Sequence, residues 1–352
     1  MNLQETILHI EPPDTPCMEG ARRYFTRIAI PLGSLGLLED AIVQLAGIQR
    51  TVKPSIGKRA VVVFCADNGV VAQGVTQCGQ EVTAVVTENM DAGQSTVCLM
   101  AHHIGMDVFP VDIGVARDVR GDRIIRRKIA YGTRDMTLEC AMTRDEAVRA
   151  IEVGIEMAEK CASEGYQLLC VGEMGIGNTT TSAAVTAVLT GSPATAVTGR
   201  GAGLSSAGLE KKIRAIQAAL ALHRPNPEDP IDVLHKVGGL DIAGMVGLYL
   251  GGAACGLPVV IDGVIAAAAA LLACRLCPTA RGYMLASHCP DEPAGKLLLE
   301  ALEARTFLTA GMRLGEGTGA AAAVALLDLA LAAYLGMPSF DDAGIEAYQP
   351  LT

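Results

Sequence analysis

Arg59-Ala60-Val61-Val62-Val63-Phe64-Cys65-Ala66 is a β-branched run without apolar–polar alternation, and it stops at the turn signal Asp67-Asn68-Gly69-Val70. A strand with one solvated face alternates, whereas an unbroken apolar run belongs to a parallel strand covered on both sides. Asp107-Val108-Phe109-Pro110-Val111-Asp112-Ile113-Gly114 repeats the pattern, as do Tyr166-Gln167-Leu168-Leu169-Cys170-Val171 and Pro258-Val259-Val260-Ile261. Tyr283-Met284-Leu285-Ala286 reads as one more strand, closing at Ser287-His288. Helical spacing fills the intervals, near 82–103, over 143–165 with Thr143 capping and Gly165 stopping, from about Thr179, near 208–223 and over 238–252. Strands alternating with helices predict an α/β fold with a mainly parallel sheet. Residues 1–57 lack strands; a helix capped by Ser34 is expected over 34–46, and the N- and C-terminal portions are expected to pack together as a smaller unit.

The chain of 352 residues is 50% hydrophobic, 19% charged and 3% aromatic with no Trp, so Ala, Gly, Val and Leu must fill the core. A net charge of −10 argues against nucleic acid as a partner, because phosphate binding needs a basic surface. Arg123, Arg126, Arg127 and Lys128 form the one basic cluster, read as a solvated edge. The N-terminus has no secretory pattern. The apolar runs 248–277 and 320–337 read as buried core rather than membrane spans: the first is broken by Pro258, Asp262 and Gly263, and the second is short and contains Asp328. Eleven scattered cysteines suit reduced thiols in a cytoplasm, and Cys274-Arg275-Leu276-Cys277 lacks the further ligands of a zinc site. No metal and no cofactor is expected.

Polar and Gly-rich residues collect at the carboxyl ends of the strands, where open α/β sheets bind ligands. They are Asp67-Asn68-Gly69, Gly172 to Asn178, Asp262-Gly263, Ser287-His288 and the loop 311–319. The loop Gly172-Glu173-Met174-Gly175-Ile176-Gly177-Asn178, running into Thr179, resembles a phosphate cradle of backbone N–H groups. Its spacing fits neither a Walker loop nor a dinucleotide fingerprint. Gly199-Arg200-Gly201-Ala202-Gly203 offers an Arg for an anionic group, or equally a surface turn. Glu316 lies among three glycines ahead of an Ala/Leu helix that is apolar on nearly every face. General base and simple complement to the helix dipole both fit that placement.

Gly172-Glu173-Met174-Gly175-Ile176-Gly177-Asn178-Thr179-Thr180 and Met312-Arg313-Leu314-Gly315-Glu316-Gly317-Thr318-Gly319-Ala320 resemble the two signature segments of the nicotinate-nucleotide:dimethylbenzimidazole phosphoribosyltransferase family. Asp67-Asn68-Gly69, Glu81-Val82-Thr83, Gly199 to Gly203, Asp262-Gly263 and Ser287-His288 support the match, which runs from about residue 20 to 345. The resemblance implies a Rossmann-like large domain over 58–300, with helices on both faces of the sheet, and a small helical unit from 1–57 and 301–352. It implies transfer of phosphoribose from nicotinate mononucleotide to a cobamide lower-ligand base, with inversion, giving an α-riboside phosphate and nicotinate. Glu316 matches the general base. Glu173, Gly175, Gly177, Asn178, Thr179, Arg200, Gly201, Gly203, Asp262, Arg313, Gly315, Gly317, Thr76, Val85 and Ser287 are the expected substrate-binding residues.

The chain departs from the family pattern around the acceptor. Asn68 stands where the family usually has His, Thr76, Cys78-Gly79 and Ala84-Val85 replace more polar residues, Ser205 replaces an acid, and Asp241-Ile242-Ala243 replaces Glu-Ile-Ala. Glu316 is intact. Retained chemistry with an altered acceptor, phenolic or otherwise unusual, is the expectation. The alternative is a non-catalytic or partner-dependent subunit of a heterodimer, since relatives work as like or unlike dimers. A nucleotide-dependent oxidoreductase is disfavoured by the missing glycine fingerprint.

Overall fold

The computed structural model describes residues 1–348. Six strands form one sheet: β1 (Arg59–Ala66), β2 (Asp107–Gly114), β3 (Ile125–Arg126), β4 (Leu168–Met174), β5 (Val259–Ile261) and β6 (Met284–Ala286). They lie in the order β3-β2-β1-β4-β5-β6, and each neighbouring pair is parallel. This is the doubly wound order, whose direction of winding reverses between β1 and β4 and opens a crevice beyond their carboxyl ends.

β1 is buried at every position. Val62 and Phe64 enter the core on one face while Val61, Val63 and Cys65 enter the core on the other, as the period-2 geometry of a strand requires. On the first face, the helices Arg144–Ser163 and Leu240–Ala254 touch backbone to backbone through glycines. A Cβ added at Gly154 would meet the Gly244 carbonyl, and one at Gly247 the Ile151 carbonyl. Small residues thus do the packing that a chain without Trp leaves to them. On the second face lies the helix Thr318–Gly336, which is long and apolar enough to span a membrane by length and composition alone, with half of that window buried in the fold. Its Tyr334 packs edge-on to Tyr24 at 4.8 Å and against Phe25 at 4.5 Å, and its hydroxyl donates to the Val52 carbonyl at 2.8 Å.

Local departures from expectation have local causes. The interval 82–103 is two helices, Glu81–Asp91 and Thr96–His103, because Gly93 takes φ +73° and Ser95 caps the second by accepting from Cys98 N–H. The helix expected from Ser34 starts at Leu37; Gly36 (φ +55°) holds the cap position and Ser34 lies in the preceding turn. β3 is two residues long, too short to leave a periodic signal, and puts Arg126 on the sheet edge. Its neighbours in the basic cluster are paired, Arg127 with Glu156 and Lys128 with Asp112 at 3.1 Å.

Candidate active site

Two loops of the same design face each other across the crevice. Each leaves a glycine in the left-handed region at the helix cap, Gly177 (φ +96°) before Asn178–Thr190 and Gly317 (φ +92°) before Thr318–Gly336. Neither helix start is capped by its own glycine: at Thr318–Gly336 the Asp262 carboxylate takes the Gly317 and Ala320 N–H groups, whereas at Asn178–Thr190 no acceptor meets the Thr179 N–H among the described residues. A helix start in that state favours an anion. Side-chain bulk is excluded at the crossing points: a Cβ at Gly175 would meet the Ala66 carbonyl, and one at Gly315 would lie 2.5 Å from Glu173 Oε1.

Glu316 sits between Gly315 and Gly317 with φ +61°, a conformation that costs a residue with a side chain roughly 1–2 kcal/mol. Its carbonyl rests on Gly172 of β4, where a Cβ would come within 2.5 Å of the oxygen. Oε2 is buried without a hydrogen-bond partner. Burial raises the carboxyl pKa, the Val97 N–H at the start of Thr96–His103 opposes that shift, and the charge of Asp262 adds to it. The result is a strained, under-satisfied carboxylate with raised basicity at the cleft wall, which is what a general base needs. Glu173, near the end of β4, is buried and contacts Asn178 Nδ2 through Oε2. Burial first, then Asp241 and Asp262, hold its pKa well above the usual carboxylate range.

The cleft is lined by Glu316, Glu173, Gly175, Gly177, Asn178, Thr179, Arg200, Gly201, Arg313, Gly315 and Thr76, as expected from the sequence. Several of these spend their polar atoms on the protein itself. Arg200 donates to the Leu204 carbonyl (2.8 Å) and to Ser206 Oγ (3.2 Å), Thr76 Oγ1 donates to the Cys78 carbonyl (2.6 Å), and exposed Arg313 faces Asp291 at 3.4 Å.

Five expected residues lie off the lining. Asp262 accepts from Gly317 N–H (3.2 Å) and Ala320 N–H (2.9 Å), so its carboxylate anchors the 315–317 loop and the helix that follows. Ser287 Oγ donates to the Asp262 carbonyl at 3.0 Å and is wholly buried. Gly317 gives its N–H to Asp262, and Gly203 gives its carbonyl to Gln77 Nε2. Val85 is 47% exposed on Glu81–Asp91, because Thr83, Ala84 and Thr87 occupy that helix's inward face.

Two lining or underlying groups were not among the expected substrate-binding residues. His288 lines the cleft with Nδ1 2.9 Å from Ser287 Oγ, and burial lowers its pKa against the pull of Asp262. Lys212 is buried, and its Nζ donates to Thr179 Oγ1 (2.7 Å) and the Gly199 carbonyl (3.2 Å), joining the two glycine loops from beneath. Burial lowers its pKa to about 8, with Glu292 pulling the other way, so it is mostly cationic at neutral pH. Its signal was the helical spacing Lys212, Ala215, Ile216, Ala219, which places it on the buried face of Ser206–His223.

Acids buried here give a stability prediction. Burial raises the pKa of Asp241 to about 7 and also raises those of Asp67 and Glu173. Above about pH 4 the unfolded chain releases protons that these three acids keep in the native state, so their contribution to stability is fully present below that value and is lost as pH climbs through about 7. Scanning calorimetry is expected to give a Tm that declines between about pH 5 and 7, with a shallower decline in Asp241→Asn. A Tm that rises across the window, or the same slope in both proteins, contradicts this.

Known proteins resemble this chain over its length. A family profile described as phosphoribosyltransferase matches residues 10–345. The nicotinate-nucleotide–dimethylbenzimidazole phosphoribosyltransferase of Clostridium acetobutylicum is 45% identical over 351 residues, covering 100% of both chains. That of Acetivibrio thermocellus is 48% identical over 333 residues, 95% of each. The crystal structure of CobT from Thermus thermophilus superposes with a TM-score of 0.90 at 39% identity, covering 95% of this chain and 100% of that one. With a family profile matched over residues 10–345, 45% identity over the full length and a superposition at a TM-score of 0.90 in agreement, this chain belongs to the phosphoribosyltransferase family.

Proposed function

We propose that the chain transfers the phosphoribosyl group of nicotinate mononucleotide to a cobamide lower-ligand base, with Glu316 as the general base. The observation that carries the reading is the unpartnered Oε2 of Glu316, held by a strained backbone at the rim of a cleft that the start of Asn178–Thr190 also lines. The phosphate fits the N–H groups of the Gly175–Asn178 turn and the Gly199–Gly203 loop, with the Lys212 charge beneath. The ribose C1′ then faces Glu316. The acceptor attacks C1′, its proton passes to Glu316, and the C1′–pyridinium bond breaks with its electron pair going to nicotinate nitrogen. The cationic ring leaves neutral, and one displacement inverts a β-nucleotide to an α-product. The leaving group carries its own driving force, so the protein's task is positioning and proton removal.

The acceptor is the finer part of the proposal. Val75, Ile176, Met312 and Leu314 line the cleft, and the one hydroxyl among the substituted positions that line it, Thr76, is turned to the Cys78 carbonyl. Such a wall suits an aromatic ring with few polar edges, a phenol or cresol as well as dimethylbenzimidazole, and the Glu316 base serves a ring N–H or a phenol O–H equally. Purified chain, assayed alone with nicotinate mononucleotide and each of these acceptors, is expected to release nicotinate with at least one phenol. Turnover of dimethylbenzimidazole and of no phenol rejects the phenolic acceptor. Activity that requires an unlike partner chain and survives Glu316→Ala would favour the non-catalytic reading, a subunit supporting an active paralogue.

A further inference from the structure

Asp262, Ser287 and His288 stand together at the start of the helix Thr318–Gly336, and all three are buried. Asp262 takes the Gly317 and Ala320 N–H groups. Ser287 Oγ gives its one proton to the Asp262 carbonyl (3.0 Å), so His288 Nδ1, 2.9 Å from the same oxygen, must donate to it. The imidazole is more than a link in this chain. A Cβ added at Gly319 would overlap Nδ1 and Cε1 of the ring and would lie 2.9 Å from Asp262 Oδ1. Gly319 thus brings the first turn of the helix down onto the His288 ring, with no room for a side chain between them. The backbone around His288 is tied to the approach to the same loop. His288 bridges to Leu308, Cys289 N–H donates to the Leu308 carbonyl (2.9 Å), and Asp291 N–H donates to the Met312 carbonyl (3.2 Å). Glu316 therefore lies between two attachments, Met312 held by Asp291 and Gly317 held by Asp262.

We propose that His288 is a positioning residue for Glu316: its ring seats the helix start at Gly319, and its Nδ1–H, through Ser287, fixes the Asp262 that holds the turn after Glu316. The inference rests on the phosphoribosyl-transfer reading above. The turn needs support from outside, because Glu316 at φ +61° is in a conformation that persists only where its surroundings enforce it, and Oε2 has no hydrogen bond to steady it. The groups assigned to the phosphate lie on other elements, the start of Asn178–Thr190, the Gly199–Gly203 loop and Lys212. A fault at His288 accordingly reaches the proton acceptor and spares nucleotide binding.

His288→Leu removes both the ring and the bond to Ser287. It is expected to lower kcat about a hundredfold, the cost of a displacement of about 1 Å, with KM for nicotinate mononucleotide within a few-fold of wild type. His288→Asn, whose amide can donate from near the Nδ1 position, is expected to recover about tenfold of that loss. The decisive measurement is the double variant. In the Glu316→Gln background, His288→Leu is expected to cost less than about threefold further, because a misplaced base and a missing one are equally idle. A rise in KM as large as the fall in kcat, two losses that multiply in full, or His288→Asn no better than His288→Leu overturns the proposal. If His288→Leu does not fold, Ser287→Ala carries the same test, with a fall in kcat that disappears in the Glu316→Gln background. If no acceptor is turned over by the wild type, the reading of the reaction fails, and a crystal structure of His288→Leu then decides the positioning role alone. A 315–317 turn displaced from its wild-type place supports that role, and an unmoved turn overturns it.

Discussion

Glu316→Gln is expected to lower kcat/KM by about 10²–10⁴-fold while leaving nicotinate mononucleotide binding within a few-fold of wild type. The substitution keeps the side chain's volume and removes its ability to take a proton. The binding groups assigned to the phosphate, the helix start at Asn178, the Gly199–Gly203 loop and the Lys212 ammonium, are untouched by it. Its structural cost is small, because Oε2 makes no hydrogen bond to lose. The backbone strain at φ +61° is the same for Gln as for Glu. Steady-state rates together with calorimetric titration of the nucleotide separate the two effects. A fall in binding that matches the fall in rate would mean that Glu316 holds substrate and performs no proton transfer. Were the residue only a complement to the helix dipole, the change would cost roughly 0.3–1 kcal/mol of stability and little activity.

Gly172→Ala carries the second large effect, at a position that touches no substrate. The residue lies in β4 opposite Val63 of β1, inside the sheet. An added Cβ would come within 2.5 Å of the Glu316 carbonyl oxygen, 2.8 Å of its carbon and 3.0 Å of Val63 Cγ2. Two of those atoms are backbone and have no rotamer to retreat into. Either the sheet or the 315–317 turn gives way, and the turn is the softer, since the sheet is fixed on both sides by β1 and β5. A shift of about 1 Å in a catalytic group costs on the order of 10² in rate, while overpacking of this size costs roughly 1–3 kcal/mol of stability. The expected result is a folded protein with a lowered Tm and kcat down about a hundredfold. Gly336→Ala is the control: nothing lies within 4 Å of its added Cβ, and full activity is expected. Full activity in Gly172→Ala would show that the loop tolerates displacement and that Glu316 is not held in place from beneath.

The parts of the fold that sequence made legible are those where burial dictates composition. β1 is apolar from Ala60 to Ala66 because it is covered on both faces, and β4 and β5 follow the same rule. β3 escaped because two residues cannot carry a period, and the break at Gly93 escaped because the apolar spacing resumes in phase beyond it. In the site, glycines were the clear signal. Gly177 and Gly317 occupy backbone conformations that other residues avoid, and Gly175 and Gly315 leave room that a Cβ would fill. Direction was not legible. An acid at a strand's carboxyl end reads the same whether it lines the cleft, as Glu173 does, or holds a helix start, as Asp262 does. Val85 and Lys212 invert the usual rule, the first an exposed valine and the second a buried lysine within Glu210-Lys211-Lys212. Its helical spacing with Ala215, Ile216 and Ala219 sets Lys212 apart from its charged neighbours, and the pairing of Nζ with Thr179 and the Gly199 carbonyl shows where its charge goes.

The most direct measurement is the anomeric configuration of the product, read by proton NMR from a mixture of the purified chain, nicotinate mononucleotide and dimethylbenzimidazole. The expected result is an α-riboside phosphate formed in step with free nicotinate by the wild type, and its absence with Glu316→Gln. A β-anomer, which requires two successive displacements, or equal product from both proteins, would contradict a single displacement driven by Glu316.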